Sequence, residues 1–280
     1  MTHRLVRLGV GSRLVAWLAI AGLAASCSGG LAARSGPPAS ASRDAVDLLV
    51  FGAASLKDVL AAVETAYEAA VPGTTLTIAT DSSSTLRTQI EQGAPVDVFL
   101  SADRDSPRVL ADGGLADGNI VDFAANRLTI IVPAGDPAAI ARPADLAKPG
   151  VRIIAAGDDV PITTYASEAV ARLAAVPGYP ADFAGVYLAN VVSKEQNVRA
   201  IVAKIELGEG DAAIVYATDA IRSSAVKVIA LPPEANVSAT YAGIVVGTSA
   251  HPAQAHAFLN WLKGPGGAAV LATFGFLPPS

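Results

Sequence analysis

The sequence has few of the residues from which catalytic and metal-binding sites are commonly built. Its 280 residues include one cysteine and three histidines, whereas transition-metal sites use clusters of these side chains. Two of the histidines, His251 and His256, lie together near the C-terminus, where we expect a loop and an amphipathic helix. Neither a GxSxG nucleophile elbow nor a GxxxxGK phosphate loop followed by Ser or Thr occurs. We therefore expect no enzyme activity, no directly bound metal and no cofactor.

Positive charge and long apolar runs are also scarce. With 20 Lys and Arg against 25 Asp and Glu, the formal net charge is -5. Proteins that bind nucleic acid instead carry a basic patch, so nucleic acid is not an expected partner. After residue 27, no apolar run approaches the roughly 20 residues that span a bilayer. We expect this part of the chain to be a soluble domain.

The N-terminal segment has the pattern of an export signal. Arg4, Arg7 and Arg13 precede the apolar run LVAWLAIAGLAA, which occupies residues 14–25. This run has the length of a signal-peptide core and is too short for a spanning helix. We predict that residues 1–26 are a signal peptide and that the protein is extracytoplasmic.

The end of this segment predicts a lipid anchor. LAASC at residues 23–27 resembles the lipobox of bacterial lipoproteins, in which the cysteine is diacylated and becomes the first mature residue. Cys27 is the single cysteine of the chain, so it has no disulfide partner within it. The alternative is an ordinary leader with an incidental cysteine, because the lipobox prefers a larger aliphatic residue where Ala24 stands. Residues 27–45 are rich in Gly, Ser, Pro and Ala, a composition typical of a flexible tether.

From residue 46 onward, short apolar runs alternate with amphipathic helical patterns. LLVFGA at residues 48–53 reads as a buried strand, and the next residues repeat apolar side chains at helical spacing. The same alternation returns at TLTIAT then STLRTQIEQG, and at VDVFLSAD then SPRVLADGGL. Such alternation predicts parallel sheets covered on both faces, in an α/β fold.

Serines follow two of the predicted strands, at the points where helices begin. Ser55 follows the first strand, with Asp58 placed as in a capping box, and Ser83 is the middle serine of SSS after the second. Ligands of open α/β sheets bind at these strand ends, and helix starts attract anions. A single serine here is typically just a helix cap. The set of serines, however, favours an anion site.

Four motifs in order resemble the molybdate-binding protein family of bacterial ABC importers. They are GAASLKDVL, DSSSTLRTQIEQGAPVDVFLSAD, KEQNVRAIVAKIELGEGDAAIVYATDA, and FLNWLKGPGG with its closing FGF. The resemblance covers nearly all of the chain from about residue 46. It implies the type II periplasmic-binding-protein fold, with two α/β lobes and a ligand cleft at the hinge. It also implies capture of molybdate or tungstate for an ABC permease and its ATPase.

The resemblance implies five ligand-binding residues, all of them neutral hydrogen-bond donors. Ser55 and Ser83 would donate through both hydroxyl and N–H, and Tyr216 would donate through its phenol. Val198 would donate through an N–H at a helix start that Asn197 caps. Ile162 would donate through the N–H that follows Pro161.

The segment GDDVPITTYASEA at residues 157–169 departs from the family pattern. Its loop is one residue shorter, and Ile162 and Thr163 replace the family's Ala-Gly pair. Because the family uses the main chain here, we retain Ile162. A hydroxyl of Thr163 or Thr164 could instead supply the fifth contact. A capping role for one of these threonines, at a helix starting near Tyr165, is an equally good explanation of their presence. The two aspartates are expected to be solvated, because a carboxylate would repel a dianion.

A site built only of donors prefers a fully ionised oxyanion, because a protonated one brings a hydrogen that meets no acceptor. Molybdate, tungstate and sulfate satisfy this condition at neutral pH, and phosphate does so only in part. The alternatives are therefore a receptor for sulfate or phosphate, a ferric-iron receptor suggested by the six scattered tyrosines, and an extracytoplasmic hydrolase.

The predicted organisation divides the chain between the two lobes. Residues 46–124 and 238–280 are expected to form the first lobe, and residues 125–237 the second. We expect a monomer that is held at the cell membrane by its lipid anchor, as the receptor of an importer.

Overall fold

Strands and helices alternate along most of the chain, as the sequence predicts. The computed structural model describes residues 45–221 and 223–279, which belong to one compact unit. The predicted signal peptide, Cys27 and nearly all of the predicted tether lie outside the described residues. Across the described ranges, no helix combines the length and the apolar character needed to cross a membrane.

The described residues contain ten strands. They are β1 (Val46–Ala53), β2 (Thr74–Asp81), β3 (Val98–Ser101), β4 (Ala116–Asn126), β5 (Leu128–Pro133), β6 (Ile153–Ala156), β7 (Val191–Glu195), β8 (Ala213–Tyr216), β9 (Val226–Ala230) and β10 (Ala239–Val246).

The same ranges contain nine α-helices and two 3-10 turns, Ala54–Leu56 and Pro143–Ala147. The helices are α1 (Lys57–Ala70), α2 (Ser83–Glu91), α3 (Asp105–Asp112), α4 (Pro161–Ala174), α5 (Phe183–Ala189), α6 (Val198–Glu206), α7 (Ala217–Ala220), α8 (Pro252–Lys263) and α9 (Pro265–Thr273).

The strands form mixed sheets, which corrects the expectation of parallel ones. The first sheet has the order β2-β1-β3-β10-β4, and the second has the order β8-β5-β9. Strand β1 is parallel to β2 and β3, but β10 is antiparallel to β3 and β4. All pairs of the second sheet are antiparallel, whereas β6 and β7 form a parallel pair. The parallel strands β1, β2 and β3 are connected through α1 and α2, whereas β10 enters the first sheet directly from β9 of the second sheet, without such a crossover helix.

The first sheet is covered on both faces, which explains its apolar strands. Leu48 and Val50 of β1 belong to the larger buried cluster, together with side chains of α1, α8 and α9. Phe51 and Phe99 point to the other face and pack with side chains of α2 and α3. Alternate residues of a strand therefore serve opposite faces, and both faces are apolar. This packing fixes the strand ends at which β1 and β2 meet the helices that follow them.

Candidate binding site

The structure brings the five predicted binding residues together around one cavity. The cavity is small and partly open to solvent. Its lining includes Ser55, Ser83, Ile162, Val198 and Tyr216. The first two come from the first sheet and its helices, and the last three come from the part of the chain between β4 and β10.

Each of these residues lies at or beside a helix start. Ser83 and Val198 are the first residues of α2 and α6, and Ile162 is the second residue of α4. Ser55 lies in the 3-10 turn before α1, and Tyr216 is the residue before α7. The first N–H groups of a helix have no acceptor within it, and the helix dipole is positive at this end. The cavity is therefore surrounded by groups suited to an anion.

Neighbouring residues perform the capping at two of these helices. Ser82 is the N-cap of α2, and its side chain accepts from the Thr85 N–H at 3.2 Å. Ser83 is therefore not the cap, and its Oγ instead accepts from the Ala102 N–H at 3.0 Å. At α6, Asn197 accepts from the Ala200 N–H at 3.1 Å, which confirms the predicted cap. The capping groups are therefore those of Ser82 and Asn197, and Ser83 and Val198 line the cavity without capping their helices.

The capping box predicted for Ser55 and Asp58 is wrong. Ser55 Oγ lies 2.8 Å from Tyr241 Oη, and the Asp58 carboxylate receives two bonds from the Arg199 guanidinium, at 3.0 and 3.2 Å. A bidentate ion pair of this kind is a stronger contact for Asp58 than a capping bond to its own helix. Asp58 thus joins α1 to α6.

Tyr216 carries the most informative hydroxyl of the site. Its side chain is 1% exposed, and its Oη is buried without a hydrogen-bond partner anywhere in the described part of the chain. Burial raises the pKa of this phenol well above its usual value, so the group remains a donor. A buried unsatisfied polar group costs about 1–3 kcal/mol. Such an unpaired donor at a cavity wall indicates a partner that enters the cavity.

The segment GDDVPITTYASEA begins its helix earlier than the sequence predicts. Helix α4 starts at Pro161 rather than near Tyr165, because proline is suited to the first position of a helix. Thr163 therefore does not cap the helix, and its hydroxyl donates to the Gly157 carbonyl at 2.7 Å. The Thr163 hydroxyl is thus already engaged, Thr164 is exposed, and among the described residues neither threonine is part of the cavity lining. The N–H of Ile162 remains available as the second N–H of α4.

Charged side chains near the cavity point elsewhere. Asp158 is 83% exposed at its side chain and pairs with Lys194, and Asp159 is exposed as well, so both are solvated as predicted. Arg199 is engaged by Asp58. Among residues 45–221 and 223–279, the cavity lining includes no lysine or arginine. Neutral donors therefore surround the space.

Two residues behind the cavity carry no signal in the local sequence. Tyr241 touches Ser55 only because β10 returns to the first sheet 186 residues later. Asp219 of α7 is 3% exposed, and burial raises the pKa of its carboxyl to about 8. Both of its oxygens are without a hydrogen-bond partner among the described residues. Only the tertiary structure places these groups.

The cavity lies among helix starts, and the chain passes directly from one sheet of the α/β structure to the other. This arrangement is that of ligand-binding receptors with the periplasmic-binding-protein fold. The chain belongs to the family of bacterial extracellular solute-binding proteins, whose family model matches residues 48–277. This confirms the α/β receptor fold that the sequence motifs imply.

Two proteins with similar sequences show which members of this family the chain resembles. The molybdate-binding protein ModA of Mycobacterium tuberculosis is 34% identical over 274 residues, which cover 97% of this chain and 99% of that protein. A putative ABC transporter substrate-binding lipoprotein of Bacillus subtilis, YvgL, is 25% identical over 233 residues, covering 82% of this chain and 86% of that protein. The resemblance to the molybdate-binding family is thereby confirmed.

Solved structures agree on the fold. The substrate-binding domain of a putative molybdenum ABC transporter from Clostridium difficile is 26% identical, with a TM-score of 0.64, and covers 84% of this chain and 100% of that domain. The sulfate-binding protein SubI of Mycobacterium tuberculosis superposes with a TM-score of 0.75 at 21% identity, covering 83% of this chain and 87% of that protein. At that identity, the second likeness concerns the fold alone.

Proposed function

We propose that this protein captures molybdate, and tungstate with it, as the solute-binding component of an ABC importer. The observation that carries the proposal is the buried Tyr216 hydroxyl, which has no partner among the described residues and lies on a cavity with Ser55 and Ser83. The 34% identity to a molybdate-binding protein supports the choice of anion. The N–H groups of Ile162 and Val198 complete the set of donors.

The cavity suits a tetrahedral dianion through its charge environment and its hydrogen-bond donors. A tetrahedral dianion in a closed cavity needs its oxygens satisfied, and charge-assisted bonds from N–H and O–H groups are among the stronger ones. Two helix starts that supply N–H groups, those of α4 and α6, add the favourable end of the helix dipole. Binding therefore requires no cation in the cavity, and we propose neither cofactor nor catalytic step.

We propose further that the two lobes divide at about residues 125 and 238 and close on the ligand. The chain leaves the first sheet at Arg127 and returns between β9 and β10, which supports this division. Two contacts join the halves beside the cavity: the Asp58–Arg199 ion pair and the bond from Asn197 Nδ2 to Asp81 Oδ1 at 3.0 Å. Ligand that binds the closed state better stabilises it, which is how capture would proceed.

We also propose an anchored, monomeric receptor that delivers its anion to a membrane permease and the attached ATPase. The sequence LAASC ending at Cys27 supports the anchor, as does the description of the Bacillus subtilis relative as a lipoprotein. The formal net charge of -5 makes nucleic acid an unexpected partner.

Titration calorimetry with molybdate, tungstate, sulfate and phosphate tests the proposed ligand. We expect molybdate and tungstate to bind at least tenfold more tightly than the other two, a difference of about 1.4 kcal/mol or more. Tight binding of sulfate or phosphate without heat from molybdate would make the protein a receptor for another oxyanion. Turnover of an ester or phosphoester that disappears in Ser55→Ala would instead support a hydrolase.

A further inference from the structure

Both serine hydroxyls of the cavity have a hydrogen-bond partner behind them. At Ser83 the direction of the bond is fixed, because the Ala102 N–H can only donate to Oγ, at 3.0 Å. At Ser55 the partner is Tyr241 Oη at 2.8 Å, and either hydroxyl of that pair can be the donor. The direction of this second bond decides whether Ser55 offers the cavity a hydrogen or a lone pair.

Asn126, the last residue of β4, determines that direction. Its Oδ1 accepts from the Arg127 N–H at 2.9 Å, and because an N–H cannot accept, this contact fixes which end of the amide is oxygen. The amide nitrogen therefore faces the other way. It lies 2.8 Å from Thr218 Oγ1 and 3.4 Å from Tyr241 Oη.

An amide NH₂ group cannot accept the phenol hydrogen of Tyr241. The side chain of Tyr241 is fully buried, at 0% exposure, so water offers no alternative acceptor. Across residues 45–221 and 223–279, Ser55 Oγ is then the acceptor that remains within reach of this hydrogen. The Ser55 oxygen accepts from Tyr241, and its own hydrogen is left to point into the cavity.

We propose that Asn126 and Tyr241 are positioning residues that hold the Ser55 hydroxyl as a donor toward the bound oxyanion and thereby select fully ionised oxyanions over protonated ones. This inference rests on the proposed function, since it assigns the origin of selectivity at the same cavity. At Ser83, the Ala102 N–H donates to Oγ and so leaves the serine hydrogen free to be donated. With both serines held as donors, an anion that carries a proton meets a hydrogen where it needs an acceptor.

The test compares sulfate with hydrogen phosphate as competitors of molybdate, at a mildly alkaline pH where both competitors are dianions. Their similar shape and equal charge leave the proton as the main difference between them. The variants are Tyr241→Phe, which removes the phenol hydrogen, and Asn126→Asp, whose carboxylate accepts that hydrogen and releases Ser55. We expect each to reduce the preference for sulfate over hydrogen phosphate by about tenfold, the effect of one mismatched hydrogen bond.

The preference ratio separates positioning from a merely structural role. A variant that only loosens the cavity, or that repels anions through the new charge of Asn126→Asp, weakens both dianions by the same factor and leaves the ratio unchanged. Tyr67→Phe, in a buried tyrosine that packs on Phe258 and Trp261, is the matched control. In a Ser55→Ala background, Tyr241→Phe should no longer change the ratio, because the coupled partner is gone.

An unchanged ratio in both variants, with molybdate still bound by the wild type, would overturn the inference and leave the proposed function intact. Failure of the wild type to bind molybdate is a different result. It would overturn the proposed function and the inference together.

Discussion

Replacing Tyr216 with phenylalanine is expected to weaken molybdate binding by roughly tenfold to a hundredfold. The phenol hydrogen would donate to a charged oxygen, and hydrogen bonds to charged groups contribute about 1.5–3 kcal/mol. Because Tyr216 is 1% exposed and the ring remains in place, the substitution removes one oxygen without opening a large cavity. Titration calorimetry of the variant and the wild type measures the loss.

The same substitution should have the opposite effect on the unliganded protein. Its Oη is buried with no partner among the described residues, so its removal ends a desolvation cost of about 1–3 kcal/mol. We expect the melting temperature without ligand to be unchanged or higher. Tyr67→Phe, at a residue outside the cavity lining, should leave molybdate affinity unchanged. A Tyr216→Phe variant with undiminished affinity, in particular when combined with Ser83→Ala, would rule out the assigned site.

Replacing Asp219 with asparagine should remove much of the pH dependence of stability between about pH 4 and pH 8. Burial raises the pKa of this carboxyl from 3.8 to about 8. In that interval the folded protein holds a proton that the unfolded chain has released, so stability falls as the pH rises. At about 1.4 kcal/mol for each pKa unit, the total loss is on the order of a few kcal/mol. The variant should therefore be more stable than the wild type near pH 8.

Other carboxylates do not mask this effect. The pKa values of Asp145, Glu195 and Asp211 are all lowered, so the stability they add is lost only as the pH falls through the acid range. Urea unfolding at several pH values gives the comparison, with the exposed Asp112→Asn as the control. If the wild type and Asp219→Asn lose stability in parallel from pH 4 to pH 8, Asp219 is not the group responsible.

The sequence predicts the parts of the site that are encoded locally. Ser83 and Val198 follow capping residues at strand–helix junctions, and these junctions are visible in the sequence as a change of hydrophobic period. The exception is the start of α4 at Pro161. There the proline suggests a loop in the sequence, although proline is equally suited to the first position of a helix.

Long-range pairing is what the sequence does not predict. The antiparallel placement of β10 depends on how the chain returns from the second sheet, and no local pattern encodes that direction. The same return brings Tyr241 to Ser55 and Asn126. Similarly, the ion pair from Arg199 to Asp58 replaces the capping box that local spacing favours. Each difference arises where a distant partner outcompetes a local one.

Anomalous diffraction from molybdenum, in crystals grown with molybdate, tests the central claim most directly. We predict one molybdenum atom inside the cavity, with molybdate oxygens about 2.7–3.2 Å from donors of the five binding residues. Those donors are the hydroxyls and N–H groups of Ser55 and Ser83, the hydroxyl of Tyr216, and the N–H groups of Ile162 and Val198. A molybdenum atom bound elsewhere, with the Tyr216 hydroxyl still unpaired, would contradict the account.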